Sequence, residues 1–141
     1  MEGRRFYVLT AVQMVAVGFL LWLLITSETP WNTQRYIGTV LAMVGVSFIV
    51  IARYQLGKSF SIKAEAHALV TTGLYSKIRN PIYLFGGVML IGLMLVLQKP
   101  GLLILLVAVA IAQTVRARQE ARVLEAAFGE EYRTYRRKTW F

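Results

Sequence analysis

Residues 36–52 read Tyr-Ile-Gly-Thr-Val-Leu-Ala-Met-Val-Gly-Val-Ser-Phe-Ile-Val-Ile-Ala, without a single charge. Residues 6–26, 82–97 and 101–115 are likewise uncharged. At ~1.5 Å per helical residue the run 6–26 covers about 30 Å, the thickness of a bilayer's hydrocarbon core, and the last two reach about 24 Å. The chain has 141 residues, of which 57% are hydrophobic, more than the core of a soluble domain that size consumes. The surplus must face lipid. The expected fold is an all-α integral membrane protein with about four transmembrane helices.

The segments between the runs fit that reading. Residues 27–34 hold Pro30 and Trp31, a helix stop and an interfacial aromatic. Gln98, Lys99, Pro100 and Gly101 form a turn short enough for an antiparallel helical hairpin. Gly38, Ala42 and Gly45 give the second run a small-residue surface on which another helix can approach closely.

The net charge of +9 is not read as a nucleic-acid footprint. Of sixteen Lys and Arg, this topology leaves Arg35 and Lys99 on one side and the rest on the other, so the positive-inside rule explains the imbalance and places both termini in the cytoplasm. No cysteine is present and His67 is the lone histidine, which excludes a disulfide framework, a thiolate site and a histidine-rich metal centre.

Residues 53–81 form a polar section too long for a simple turn, and long ordered loops carry function. The fourth apolar run passes without Gly or Pro into residues 116–128, so one helix is expected to continue into the cytosol, with Gly129 as its C-cap. Arg116, Glu120, Leu124 and Phe128 fall at intervals of four and share one stripe. Residues 130–141, with Tyr132, Tyr135, Arg136, Arg137, Lys138 and Trp140, have the composition of an amphipathic tail resting on anionic headgroups. The chain divides into two N-terminal spans, 1–54, and a core, 55–138, within a single membrane domain.

Two blocks carry the chemistry. The first contains Leu69, Val70, Gly73, Tyr75, Arg79, Pro81 and Tyr83; the second contains Glu120, Leu124, Phe128, Gly129 and Tyr132. In order and spacing they resemble the isoprenylcysteine carboxyl methyltransferase family and the related membrane phospholipid N-methyltransferases. The first family motif reads approximately Leu-Val-x-x-Gly-Pro-Tyr-x-x-x-Arg-His-Pro-x-Tyr, and the second Glu-Glu-x-x-Leu-x-x-x-Phe-Gly-x-x-Tyr. Leu74 stands for the first proline, Asn80 for the histidine and Ala121 for the second glutamate, and Asn80 is the departure that bears on chemistry.

The resemblance implies S-adenosyl-L-methionine as methyl donor, with S-adenosyl-L-homocysteine as product, bound on the cytoplasmic side without a Rossmann glycine motif. It implies His67, Leu69, Val70, Gly73, Tyr75, Tyr83, Arg116 and Glu120 as cofactor-binding positions, and Arg79, Asn80 and Glu120 as catalytic ones. The residue types suit that ligand, since a sulfonium, an ammonium, a carboxylate and an adenine need acceptors, a cation and aromatic walls. Simpler roles stand beside these: Asn80 and Pro81 as cap and first residue of a helix, Glu120 as a solvated partner of Arg116 or Arg122, Tyr132 and Tyr135 as packing for the tail. The implied acceptor is a lipophilic or membrane-associated small molecule, its nucleophile a carboxylate oxygen, an amine or a thiol. A reading of another class is a noncatalytic tetraspan module that binds lipid or a partner.

Overall fold

The computed structural model describes residues 15, 18–19, 21–57 and 69–141. After helical residues at 21–26 come four helices: α1, Thr33–Leu56; α2, Pro81–Leu97; α3, Leu102–Phe128; and α4, Glu130–Lys138. A 3₁₀ turn, Gly73–Ser76, precedes α2. No strand forms among the described residues; Ile78 and Trp140 make an isolated parallel bridge.

Helix α1 starts at Asn32, whose Oδ1 accepts from the Arg35 N–H at 3.0 Å, so a side chain fills one of the donors that a helix start leaves open. It ends at Gly57, at φ 49°, whose N–H reaches Arg53 O. The antiparallel packing of α1 on α2 rests on the small residues expected from the sequence. A Cβ built on Gly92 would stand 2.4 Å from Ala42 N and 2.6 Å from Gly38 O, and one on Gly45 would stand 2.7 Å from Met89 N. The two backbones are in direct contact, as suits helices in an apolar solvent, where dispersion replaces the hydrophobic effect. Leu24, Ala42 and Val96 form the core between them, with Val46, Met89 and Leu93 against it. Nearer the Gly57 end, Phe48 and Phe85 stack with centroids 4.5 Å apart.

The turn between α2 and α3 falls at Gln98–Gly101, as the sequence predicts. Gln98 sits at φ 52° and its N–H closes on Met94 O at 3.0 Å. Helix α3 is one uninterrupted element through Phe128, and Gly129, at φ 51°, caps it through Glu125 O at 2.9 Å. By length, α1 spans ~36 Å and α3 ~40 Å. Both are long and apolar enough to cross a membrane, whereas α2, at ~26 Å, is a shorter apolar helix. None of the residues of α3 is buried, and Ile104 is 80% exposed. An apolar helix laid bare in this way is at home where the solvent is itself apolar.

The loop 27–32 is sealed by a buried cation. Arg35, 2% exposed, donates through Nη2 to Leu24 O at 2.8 Å and through Nη1 to Thr29 O, and its guanidinium lies 4.0 Å over the Trp31 ring. Thr29 in turn donates to Val96 O at 2.9 Å, and Gln98 donates to Pro30 O at 3.1 Å. The sequence places Arg35 simply outside the membrane; the structure shows it tying three segments together.

Candidate functional site

At the opposite end of the helices, five elements meet: the last turn of α1, residues 69–80, the first turn of α2, the charged half of α3, and α4. Residues 69–72 run extended into the 3₁₀ turn, with Leu69 and Val70 half-buried. Gly73 has φ +60°, and a Cβ there would fall 2.4 Å from Gln55 Oε1. Glycine is required on both counts. The same Gln55 oxygen accepts from the Leu74 N–H at 2.7 Å, so α1 fixes the turn.

That turn delivers Tyr75 inward. The ring is 6% exposed and its backbone carbonyl accepts the Tyr135 hydroxyl at 2.7 Å. Its own hydroxyl is buried and has no hydrogen-bond partner among the described residues. Burial pushes its ionisation up, as does the neighbouring Tyr135, while the positive charge of Arg53 pulls the other way. Tyr75 is therefore a neutral donor beside a cation at any ordinary pH. Tyr135 is itself pushed up to about 12, first by burial and then by Tyr132, with Arg79 opposing.

Arg79 lies half-buried between the turn and α4. Its Nε is buried and unpartnered among the described residues. Its backbone is held by an unexpected clasp: Arg79 N–H donates to Trp140 O at 3.1 Å, Asn80 N–H to Phe141 O at 2.9 Å, and Trp140 N–H to Lys77 O at 3.0 Å. Asn80 occupies the N-cap of α2 but its side chain makes no capping bond; Pro81 is the first helical residue and is fully buried. The simple role foreseen for this pair thus falls to Pro81 alone.

On the far wall, Tyr83 donates to Glu120 Oε1 at 2.5 Å, joining α2 to α3. Glu120 does not pair with Arg116 or Arg122; its second oxygen stays open among the described residues. Arg116 is exposed one turn earlier and acts electrostatically on the Tyr83 phenol. Tyr132, 1% exposed, and Tyr135 pack α4 under the cluster, which is the packing role read from the sequence. Arg133 ties the tail to α3 through Glu125 at 2.8 Å.

The structure therefore brings together Gly73, Tyr75, Arg79, Tyr83, Arg116 and Glu120, with Asn80 contributing backbone and Leu69 and Val70 leading in. His67 lies outside the described residues. Sequence reasoning missed Arg53, Gln55 and the clasp at residues 140–141. A glutamine in the last turn of an otherwise apolar helix was the available signal for the second.

The family model for phospholipid methyltransferases matches residues 33–131. The chain belongs to the phospholipid methyltransferase family. The match begins with the first residue of α1 and ends inside α4, so it takes in the 3₁₀ turn and the whole Tyr83–Glu120 wall. A search of curated proteins finds no match. Membership, together with the two long apolar helices, makes this a membrane protein of a methyltransferase family.

The residues present fit a donor such as S-adenosylmethionine. Of three buried side-chain polar atoms without partners among the described residues, Tyr75 Oη and Arg79 Nε fall in this cluster and Arg35 Nε at the other end of α1, and buried polar groups in native proteins are rarely so left unless a ligand or water completes them. Aromatic rings, a cation and an open carboxylate oxygen stand within the same cluster.

Proposed function

We propose that this protein transfers a methyl group from S-adenosylmethionine to the polar head of a lipophilic, membrane-held acceptor. The observation that carries the reading is the unpartnered Tyr75 hydroxyl and Arg79 Nε in the cluster that also holds the Tyr83–Glu120 pair. Held there by Arg79, Tyr75 and Glu120, S-adenosylmethionine would supply an electrophilic methyl to the acceptor's lone pair, its sulfur keeping the bonding pair as a thioether. The protein's share is alignment, exclusion of water and keeping the nucleophile unprotonated.

Arg79 and the Tyr75 hydroxyl are donors suited to a carboxylate, with Arg116 as a second cation at the rim. The open oxygen of Glu120 is an acceptor for a ribose hydroxyl, an amino group or the proton of an ammonium head. Tyr83 orients that carboxylate. The rings of Tyr75 and Tyr83 give walls for a sulfonium. Asn80, where the resembled motif has histidine, offers an amide without acid–base chemistry, so proton removal rests on Glu120 or solvent.

The proposed topology has four spans, with the site and both termini cytoplasmic and residues 1–141 forming a single membrane domain. The soluble donor then enters from water and the acceptor sideways from lipid. The family's name favours a phospholipid amine as acceptor; an isoprenylcysteine carboxylate is the second candidate. The test is transfer of tritium from methyl-labelled S-adenosylmethionine to phosphatidylethanolamine or N-acetyl-S-farnesylcysteine in mixed micelles. Label in either extracted product supports the reading and identifies the nucleophile. Absence of label in both, with the protein folded, supports a noncatalytic lipid-binding module instead.

A further inference from the structure

The polar side chains on the apolar parts of the long helices are nearly all spoken for. Thr39, Ser47 and Thr114 donate to the carbonyls of Arg35, Met43 and Ala110, one turn back, each at 2.8 Å. Gln113 is the exception, for its amide makes no hydrogen bond among the described residues. It is half-buried and reaches from α3 across to α2, where its Nε2 lies 3.2 Å from the place a Cβ on Gly86 would take. A primary amide without a partner at lipid depth is costly, because hydrocarbon offers nothing in exchange for water.

The position of Gln113 says what completes it. It lies on the stripe of Arg116 and Glu120, one turn and two turns deeper respectively, so ~4.5 Å below the first and ~10 Å below the second. Gly87, one turn past Tyr83 and next to Gly86, has nothing within 4 Å of its absent Cβ, so there is open space on α2 at the level of the amide. An amphiphile whose head reaches Glu120 places the junction of head and tail about that far down. In a diacyl lipid the junction carries ester carbonyls; in an N-acylated prenylcysteine it carries an amide. Both are acceptors for an amide N–H.

We infer that Gln113 is a specificity-determining residue, donating to a carbonyl at the head–tail junction of the methyl acceptor. The inference rests on the proposed methyl transfer for the identity of that ligand. It is tested by native mass spectrometry of the full chain in detergent with diacyl phosphatidylethanolamine, its dialkyl-ether analogue or N-acetyl-S-farnesylcysteine. Wild type, Gln113→Leu and Gln113→Met are compared, and S-adenosylmethionine binding is measured on the same samples.

Wild type is expected to retain a carbonyl-bearing amphiphile about tenfold better than the ether lipid, and both variants to lose that preference with cofactor affinity unchanged. Preference for the diester assigns the junction to a phospholipid; retention of the farnesylcysteine assigns it to a prenylated cysteine. Equal retention by wild type and variants, or a wild type that holds the ether lipid as well as either carbonyl-bearing probe, overturns the inference. A wild type that binds no S-adenosylmethionine defeats the proposed methyl transfer instead, and the ester-over-ether comparison still reports on Gln113.

Discussion

The two ends of the α1–α2 pair use similar residues to opposite ends. At the Arg35 end, both terminal nitrogens of an arginine are satisfied by carbonyls and its Nε alone is left unpartnered among the described residues, a tryptophan covers its face, and Thr29 and Gln98 close the loop over α2. At the Tyr75 end, an arginine and a tyrosine bring two buried polar atoms to one cluster in which nothing among the described residues completes them. A closed network rigidifies, whereas an open one stores binding capacity. The difference teaches that neither burial of a cation nor one unpaired nitrogen on it is itself a functional signal; unfilled hydrogen-bonding capacity gathered from several side chains in one cluster is.

That contrast can be broken by substitution. Arg35→Ala removes two charge-assisted hydrogen bonds and leaves the Leu24 and Thr29 carbonyls unpaired, so a stability loss of about 3 kcal/mol is expected, with cofactor affinity per folded molecule retained. Arg79→Ala is expected to do the reverse, weakening S-adenosylmethionine binding at least about tenfold while the melting temperature holds. Thermal unfolding and titration on the same preparations check both, and a loss of folding in Arg79→Ala with binding intact would erase the distinction.

Overpacking sharpens it next. Gly92→Ala forces a methyl against Ala42 N at the centre of the helix pair, with an expected cost of about 1–3 kcal/mol. Its effect should be spread over both ends, visible in denaturant unfolding. A smaller contrast separates two tyrosines. Tyr135→Phe deletes the bond to Tyr75 O and should cost about 1 kcal/mol, whereas Tyr75→Phe removes a hydroxyl with no partner and should leave stability unchanged while lowering cofactor affinity.

The smallest effect is one of pH. Tyr135 stays neutral in the fold to about 12, while an unfolded tyrosine ionises near ~10. The unfolded state therefore binds fewer protons between those values, so this contribution is complete below pH ~10 and is lost as pH rises towards 12. Alkaline unfolding should begin less steeply in Tyr135→Phe than in the parent.

Much of the fold was legible because it is written locally. Gly38, Ala42 and Gly45 announce a close helix contact, Gln98–Gly101 a hairpin, and the stretch from Leu102 to Phe128 a single helix stopped by Gly129; each depends on a few neighbouring residues. The cluster of Tyr75, Arg79, Tyr83 and Glu120 was legible through the resemblance that its two motifs carry, which implied that they converge. The pairing of Lys77 and Arg79 with residues 140–141, the grip of Gln55 on Leu74 and the burial of Arg35 were not. Each works through backbone groups, which carry no residue-type signature.

The most direct test of the central claim, that the Tyr75 end holds the methyl donor, is calorimetric titration of the detergent-purified chain with S-adenosylmethionine and S-adenosylhomocysteine, alongside Glu120→Ala and Tyr75→Phe. The account predicts saturable binding that is lost or sharply weakened in both variants while both still unfold cooperatively on heating. Absence of binding in a folded parent, or undiminished binding in both variants, would contradict it.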